Sequence, residues 1–295
     1  MSLAVVTPSH APDLSRFRRL HESVIRHAPD CVPHYVLVPP PDVARFAATD
    51  SERLIVLRQP DVVPAPLVTT TLLGRLPFLP RGYQVAAVNL RKPWPPIRGW
   101  VLQQLVKLAF VSTLEVDVAL MIDSDVLLVR DFTEDLFRRG GSVRHLRVPH
   151  ALHEGMPRHR NWRSVAARLL GLDAPSDDFA DYNAGVVSWS PPIVRALLAR
   201  LEDVSGRDWP SVVASELDVS EYFLYGEYLA AFGTPEQRAY TSERNLCHST
   251  WEALTTADAD RFIESVPPED IALLVQSNSD TADDVLASIA AHFLG

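Results

Sequence analysis

Two aspartates one residue apart follow a short apolar run near the middle of the chain. Asp123 and Asp125 come directly after residues 118–122, and a second apolar run, residues 126–129, begins at once. Continuous apolar runs bounded by polar residues are typical of strands covered on both faces. Two carboxylates at the end of such a strand repel each other unless a cation lies between them, and Mg²⁺ or Mn²⁺ prefers hard oxygen ligands. The spacing therefore indicates a divalent-cation site that could also hold a diphosphate, whereas a lone Asp-x-Asp is usually a solvated turn.

Polar residues also follow the first predicted strand, residues 3–6. They are Thr7, His10 and Asp13, and Asp13 can in addition cap a helix that runs to about His27. Ligands of open parallel sheets bind beyond the carboxyl ends of the strands. The three residues are therefore candidates for contacting a nucleotide, and a plain turn with a helix cap is the alternative.

An apolar helix is predicted over residues 98–114, just before the aspartates. Gln103 and Lys107 are four residues apart, so they share one face of this helix. A lysine among apolar residues needs a partner, because burying its charge unpaired is costly. A phosphate, a sugar hydroxyl or an aspartate of the protein would serve, and a lysine whose ammonium reaches back to water is the alternative.

Later polar residues complete the candidate set. Asn183 precedes a predicted strand, where its amide could bind sugar hydroxyls, and a turn asparagine is the alternative. Glu221 lies in the first turn of a helix that Ser220 opens, and a favourable contact with the helix dipole is its alternative role. His248 lies in a polar stretch whose spacing names no partner for it. Residues 145–160 contain four histidines, and we interpret this segment as a loop over an acceptor site.

The elements that would position these residues form an α/β pattern. The chain opens with strand, helix, strand, helix and strand, which is the start of an open, mostly parallel sheet. Residues 60–96 contain eight prolines, and we predict an irregular excursion there. Other predicted strands are residues 34–38, 53–57, 142–148, 185–188 and 271–275. Other predicted helices are residues 42–48, 131–137, 161–170, 192–204, one from about residue 257, and 282–293.

Composition limits the function. The chain has 295 residues and a net charge of −9, with 47% hydrophobic and 22% charged residues. The acidic balance argues against binding to nucleic acid or to an anionic membrane. Two cysteines, Cys31 and Cys247, favour a reducing compartment. No signal peptide or membrane span is apparent, so we expect a cytoplasmic protein.

The motifs taken together resemble a known family. The IDSDV strand, the preceding GWVLQQLVKL helix, NAG before a strand, the SEYFLYGEYL helix and a late histidine in CHSTW are similar to those of GT-A glycosyltransferases. The resemblance is closest to a largely uncharacterised bacterial family with an Asp-x-Asp motif. It implies a single GT-A domain over residues 1–295, with a Rossmann-like, mixed and mostly parallel sheet flanked by helices. Residues 1–130 would bind the nucleotide sugar, and residues 131–295 would form the acceptor side.

The resemblance also implies roles. Asp125 would bind Mn²⁺ or Mg²⁺, Asp123 would contact the metal or the ribose, and His248 would complete the metal shell as in glycogenin-like members, although no HxxGxxKPW motif surrounds it. Gln103 and Lys107 would contact the donor phosphates or sugar. The donor would be a UDP or GDP sugar, and the acceptor a glycan or small molecule. Asn183 would face the donor sugar or the acceptor. If the enzyme inverts the anomeric configuration, Glu221 would be the general base.

Other classes compete with a glycosyltransferase. A phosphatase with Asp123 as nucleophile would place the carboxylate pair after the first strand, and would have Thr or Val where this chain has Leu127. A nucleotidyltransferase would need a glycine-rich basic loop after the first strand, and VTPSHAPD has neither glycine nor lysine. A non-catalytic nucleotide- or sugar-binding protein of the same fold remains an alternative, because function belongs to the site and not to the fold.

Overall fold

The computed structural model describes residues 2–70, 85–173 and 178–295. Its strands in chain order are β1 Leu3–Pro8, β2 His34–Val38, β3 Leu54–Arg58, β4 Leu67–Thr69, β5 Val85–Asn89, β6 Ile97–Arg98, β7 Val118–Ile122, β8 Val126–Leu128, β9 Arg138–Arg139, β10 Ser142–Val143, β11 His145–Leu146, β12 Val186–Trp189, β13 Thr241–Ser242, β14 Cys247–Thr250 and β15 Ala272–Val275. Its α-helices are α1 Leu14–His27, α2 Val43–Ala47, α3 Gln59–Val62, α4 Gly99–Thr113, α5 Pro157–Leu169, α6 Pro191–Ser205, α7 Trp209–Ala214, α8 Glu221–Phe232, α9 Pro235–Arg238, α10 Thr256–Glu264 and α11 Asp283–Leu294. Short 3-10 turns cover Ala11–Asp13, Pro40–Asp42 and Glu134–Leu136.

The central sheet of the described chain has the strand order β12-β7-β1-β2-β3. Strands β7, β1, β2 and β3 are parallel, and β12 runs antiparallel to β7. Helices flank this sheet. The predicted fold class, a mixed and mostly parallel sheet between helices, is confirmed.

The strand order reverses at β1. The chain adds β2 and β3 on one side of β1 and later returns to place β7 on the other side. Such a reversal leaves a crevice beyond the carboxyl ends of the two diverging strands, where open α/β sheets bind their ligands. Residues 9–13 follow β1 at this point, and Asp123 follows β7.

A second sheet begins immediately after the aspartates. In the order β14-β15-β8, strand β15 is parallel to β14 and antiparallel to β8. Since β7 belongs to the central sheet and β8 to the second one, residues 123–125 form the connection between the two sheets. Their backbone is therefore fixed from both sides.

The apolar character of β7 follows from its two covered faces. Ala119 and Met121 pack into the core that α4, α6 and α8 share with the sheet. Leu120 and Ile122 pack into the opposite core with residues of α1, β8 and β15. Helix α4 is likewise apolar on nearly all sides, because it lies between the sheet and helices α6, α7 and α8.

Several predicted elements differ from the structure. The excursion predicted to be irregular over residues 60–96 contains most of α3, strands β4 and β5, and an antiparallel pairing between those two strands, while residues 71–84 lie outside the described part. The predicted helix over residues 131–137 is only the turn Glu134–Leu136, and the predicted strand over residues 142–148 is two short strands. Helix α5 begins at Pro157 and not at Asn161, because proline is well tolerated in the first turn of a helix.

No helix in the described ranges is both long enough and apolar enough to cross a membrane.

Packing of α8 against the segment before β12 requires a glycine. A methyl group at Gly226 would overlap the Tyr182 ring, and the helix leaves the backbone little freedom to move away. We expect Gly226→Ala to lower the free energy of unfolding by about 2 kcal/mol, the usual cost of overpacking a core. Urea denaturation measures this value. The control is Gly99→Ala at the start of α4, where a methyl group meets no described atom within 4 Å; equal stability of the two variants would contradict the packing.

Candidate functional site

A cleft of about 1070 Å³ opens beyond the carboxyl ends of β1 and β7. Asp123 and Asp125 line it, and the buried Ser124 between them donates a hydrogen bond to Ser9 after β1, with an Oγ–Oγ distance of 2.8 Å. Strand β12 pairs with β7 so that Val186 lies opposite Ile122. This antiparallel register brings residues 183–185, which precede β12, alongside the two aspartates.

A buried lysine organises one wall of the cleft. Lys107 Nζ lies 2.9 Å from Asp123 Oδ1, 3.0 Å from Glu221 Oε1 and 3.1 Å from the hydroxyl oxygen of Tyr222. An ammonium has three N–H donors, and here it has three oxygen neighbours: it donates hydrogen bonds to Glu221 and Tyr222 and forms an ion pair with Asp123. The cluster joins the middle of α4, the end of β7 and the first turn of α8.

The charges of this cluster depend on one another. Burial lowers the pKa of Lys107, but the Asp123 and Glu221 carboxylates raise it well above its ordinary value, so the lysine is charged. Burial raises the pKa of Glu221, and Lys107 opposes that shift. Removing one member leaves an uncompensated charge away from water.

These contacts change the roles predicted for two residues. We revise the prediction that Lys107 contacts donor phosphates, because its N–H groups are taken by protein oxygens. We also revise the prediction that Glu221 is the general base, since its side chain is only 1% exposed and one of its oxygens is held by Lys107. A general base must reach the hydroxyl it deprotonates. The geometry instead favours Glu221 and Lys107 as residues that position Asp123.

Asp125 differs from Asp123 in its surroundings. Its Oδ2 accepts a hydrogen bond from the Ser277 amide at 3.0 Å. Burial and then the nearby Asp123 carboxylate raise the pKa of Asp125 to about 6. The fold therefore holds this carboxylate in a place where a cation would lower the cost of its negative charge.

Eight of the ten residues predicted for the site line this one cleft. They are His10, Asp13, Gln103, Lys107, Asp123, Asp125, Asn183 and Glu221. His10 Nδ1 lies 2.8 Å from Asp13 Oδ2, and this hydrogen bond raises the pKa of His10. The structure thus brings together residues that are as far apart as 211 positions in the chain. Their functional roles remain predictions.

Thr7 does not line the cleft. Its hydroxyl donates to the Ile122 carbonyl at 2.7 Å and must therefore accept from His34 Nε2 at 2.9 Å. His34 Nδ1 in turn lies 2.9 Å from His21 Nδ1. We therefore revise the predicted nucleotide contact, because Thr7 is buried and joins β1 to β7 and β2.

His248 also lies elsewhere. Along β14, Ser249 lines the cleft, and alternate residues of a strand face opposite sides. The His248 ring stacks on Phe262 of α10 with centroids 4.7 Å apart, and its Nε2 lies 3.0 Å from Ser265 Oγ. The structure does not bring His248 to the aspartates, so we revise its prediction as a metal ligand. Across residues 2–70, 85–173 and 178–295, no group of three or more His, Cys, Asp or Glu side chains is arranged to hold a metal ion.

Sequence reasoning missed other residues that line the cleft. These include Trp100, Arg158, His159, Asp181, Ser249 and Trp251. Two of them had a signal in the sequence. His159 belongs to the histidine-rich segment that we interpreted as an acceptor loop, and Asp181 lies two residues before Asn183.

The fold and the cleft define an α/β protein with a crevice at the point where the strand order of its sheet reverses. Comparison with family models gives a more specific classification. Residues 1–268 match the model described as a family of unknown function (DUF6492). The chain belongs to that family. No curated protein matches the sequence.

Several solved structures align with this chain at low sequence identity. The apo structure of WbbM, a bifunctional glycosyltransferase, aligns with a TM-score of 0.50 and 12% identity over 98% of this chain. The alignment covers 50% of the WbbM chain, so this chain spans half its length. The galactosyltransferase LgtC, in complex with donor and acceptor sugar analogs, aligns with a TM-score of 0.48 and 12% identity over 98% of this chain and 96% of that one. An active-site mutant of LgtC gives a TM-score of 0.49 at 12% identity, over 98% of this chain and 95% of that one.

The buried ion cluster can be tested by stability. We expect Lys107→Met to lower the free energy of unfolding by about 3 kcal/mol or more, because it leaves Glu221 buried without its partner. The double variant Lys107→Met/Glu221→Leu should recover at least about 1 kcal/mol of that loss, since both buried charges are then gone. Chemical denaturation of the four proteins of this cycle measures the coupling. Lys92→Met, at the exposed other lysine of the chain, is the control; an equal loss in that variant would contradict the account.

The buried histidines predict a dependence of stability on pH. Burial and then nearby Arg53 lower the pKa of His21 from 6.5 to about 4, and burial lowers that of His34 well below 6.5. Between pH 6.5 and about 4, His21 binds a proton in the unfolded chain but not in the folded chain. The free energy of unfolding therefore falls as the pH drops through this range. We expect a shallower fall in His21→Gln, measured by denaturation at several pH values. The same slope in His21→Gln as in the exposed control His153→Gln would show that His21 is not responsible.

Proposed function

We propose that this protein is a glycosyltransferase that moves a sugar from a nucleotide-diphosphate sugar to an acceptor hydroxyl with the help of a divalent cation. The observation that carries the proposal is the position of Asp123 and Asp125. They lie at the sheet reversal, on a backbone fixed by two sheets, in a cleft large enough for a sugar nucleotide. The fold shared with the glycosyltransferase WbbM supports the same class.

The charge of the cleft supports the need for a cation. Carboxylates among the described lining residues are Asp13, Asp123, Asp125, Asp181 and Glu221. The described lining also contains one lysine and one arginine, and both are ion-paired within the protein. Lys107 pairs with Asp123 and Glu221. Arg158 pairs with Asp218. A diphosphate entering this cleft would be repelled unless a cation accompanies it.

The residues present fit a cation that arrives with the donor. Mg²⁺ is commonly bound through one or two carboxylates, with substrate phosphates and water as its other ligands. Asp125, whose carboxylate lies where a cation would relieve its burial, would be one ligand, and Asp123 the other ligand or a contact to the ribose. Bound Mn²⁺ or Mg²⁺ would stabilise the diphosphate as the leaving group.

The protein's own residues would hold and orient the reactants. Lys107 and Glu221 fix the carboxylate of Asp123, while His10 and Asp13 lie beyond β1, where the nucleotide would enter. Gln103 and Asn183 can bind sugar hydroxyls through their amides. In the reaction the acceptor oxygen forms a bond to the anomeric carbon, the bond from that carbon to the diphosphate breaks, and the acceptor hydroxyl passes its proton to the departing diphosphate or to water. The diphosphate leaves with the bonding electrons.

Ligand-induced stabilisation tests this function. We expect one nucleoside diphosphate or its sugar derivative, from a panel containing UDP, GDP, UDP-glucose, UDP-galactose and GDP-mannose, to raise the melting temperature only when Mn²⁺ is present. A ligand at about 100 times its Kd stabilises a protein by roughly 2.7 kcal/mol, which is readily measured. Asp125→Asn should remove the manganese-dependent part of this shift, because the amide no longer supplies a charged ligand.

The matched control is Asp131→Asn. The Asp131 side chain is 87% exposed and lies outside the cleft lining, so this variant should respond as the wild type does. A wild-type protein that no nucleotide stabilises contradicts the proposed function. Full manganese-dependent stabilisation of Asp125→Asn would contradict the assignment of the metal to Asp125.

A further inference from the structure

A histidine and an aspartate meet on the wall of the cleft that the donor contacts proposed above do not use. His159, near the start of α5, has its Nδ1 at 3.2 Å from Asp181 Oδ2. Both side chains line the cleft and are partly exposed, 22% for His159 and 15% for Asp181. Helix α5 and the segment before β12 therefore build this pair at the cleft surface.

Asp181 is held rigidly. Its Oδ1 accepts hydrogen bonds from the backbone amides of Tyr182 at 2.8 Å and Asn183 at 3.1 Å, and its own backbone bridges to Val148. The carboxylate therefore presents Oδ2 to His159 in a fixed direction. A carboxylate that receives the Nδ1–H of a histidine keeps the other ring nitrogen, Nε2, as a hydrogen-bond acceptor.

The ring of His159 is oriented by aromatic neighbours. It stacks on Trp162 with centroids 4.8 Å apart, and it meets Phe223 edge-on at 5.9 Å. None of the described residues makes a hydrogen bond to His159 Nε2, although the hydrogen-bond partner of Nδ1 is defined. The ring is therefore held in place in the cleft lining, and its Nε2 has no hydrogen-bond partner among the described residues.

The pair lines the same cleft as the proposed reaction centre. Asp181 begins the segment that β12 carries alongside the two aspartates. A group bound at His159 would therefore face the sugar of a donor held at Asp123 and Asp125.

An aromatic and guanidinium surface lies next to the His159–Asp181 pair in the cleft lining. The Trp100 and Trp162 rings stack at 5.5 Å with an angle of 8°, and the Arg158 guanidinium lies 4.5 Å from the Trp100 centroid. Arg158 Nη2 is paired at 3.0 Å with Asp218. Trp100, Met156 and Arg158 all line the cleft. Aromatic and guanidinium surfaces of this kind offer broad apolar contact with a polar edge.

The charges of this wall select against an anionic ligand. Arg158 is neutralised by Asp218, His159 is directed by Asp181, and the other basic groups of the described lining, Lys107 and His10, are paired with carboxylates. An added phosphate or carboxylate group would find no unpaired cation among these residues. A neutral ring with several hydroxyl groups is the ligand that this wall fits.

We propose that His159, Asp181 and the Trp100–Arg158 surface form the acceptor subsite, which binds a neutral sugar ring with one of its hydroxyls donating to His159 Nε2. The inference rests on the proposed function, because it assigns the second substrate of the same cleft. His159 contacts the acceptor, and Asp181 is a positioning residue that holds the histidine in the required tautomer.

The test uses His159→Asn in the full chain. The asparagine amide can still donate to Asp181 from a position near that of Nδ1, but it offers nothing at the position of Nε2. The probes are methyl glycosides of glucose, galactose, mannose and N-acetylglucosamine, together with methyl glucuronide. NMR titration measures their Kd for protein saturated with Mn²⁺ and the nucleoside diphosphate that stabilises it most.

We expect at least one neutral glycoside to bind the wild type, and its Kd to rise about fivefold to tenfold in His159→Asn, the effect of losing roughly one hydrogen bond. The Kd of the nucleotide should stay unchanged, and methyl glucuronide should bind more weakly than methyl glucoside. His153→Asn, an exposed histidine of the same segment outside the cleft lining, is the control and should bind as the wild type does.

The outcomes separate this inference from the proposed function. Equal glycoside affinity in His159→Asn and the wild type, stronger binding of the glucuronide, or no glycoside binding to a protein that binds nucleotide would each overturn the acceptor subsite. Absence of nucleotide binding to the wild type would instead contradict the proposed function, and the inference with it.

Discussion

The ammonium of Lys107 is the contact on which the cleft depends. It is 2% exposed and lies within 3.1 Å of oxygens from Asp123, Glu221 and Tyr222. A charge this deeply buried is tolerated only when oxygens surround it. Because its partners come from the end of β7 and the start of α8, the requirement fixes how both approach α4. The first aspartate of the pair is therefore positioned before any ligand enters.

This arrangement gives the two aspartates different properties although they are one residue apart. Asp123 is balanced by Lys107, whereas Asp125 is bound only by a backbone amide among the contacts described, and its pKa is raised to about 6. A cation brought by a diphosphate would act mainly on Asp125. The fold thus separates a carboxylate that is held in an ion pair from one that is left for the proposed cation.

The sequence predicted those features that depend on local pattern. The bounds of β2 and the apolar run of β7 followed from residue type alone, and eight of the ten candidate residues line one cleft because open sheets place strand ends together. The sequence could not predict which face of β14 His248 would occupy, because that depends on how β14 pairs with β15. The partner of Lys107 on α8 lies 114 residues away. The proline-rich segment was misjudged because β5 alternates between buried and half-buried residues, which is a weak signal.

The most direct measurement is the anomalous scattering of manganese in crystals grown with Mn²⁺ and UDP or GDP. The account predicts a manganese peak bonded to Asp125, with a diphosphate oxygen as a further ligand and Asp123 beside the metal or the ribose. Nucleotide and metal bound outside this cleft, or a nucleotide bound in it with manganese away from both aspartates, would contradict the central claim that this carboxylate pair is the centre of glycosyl transfer.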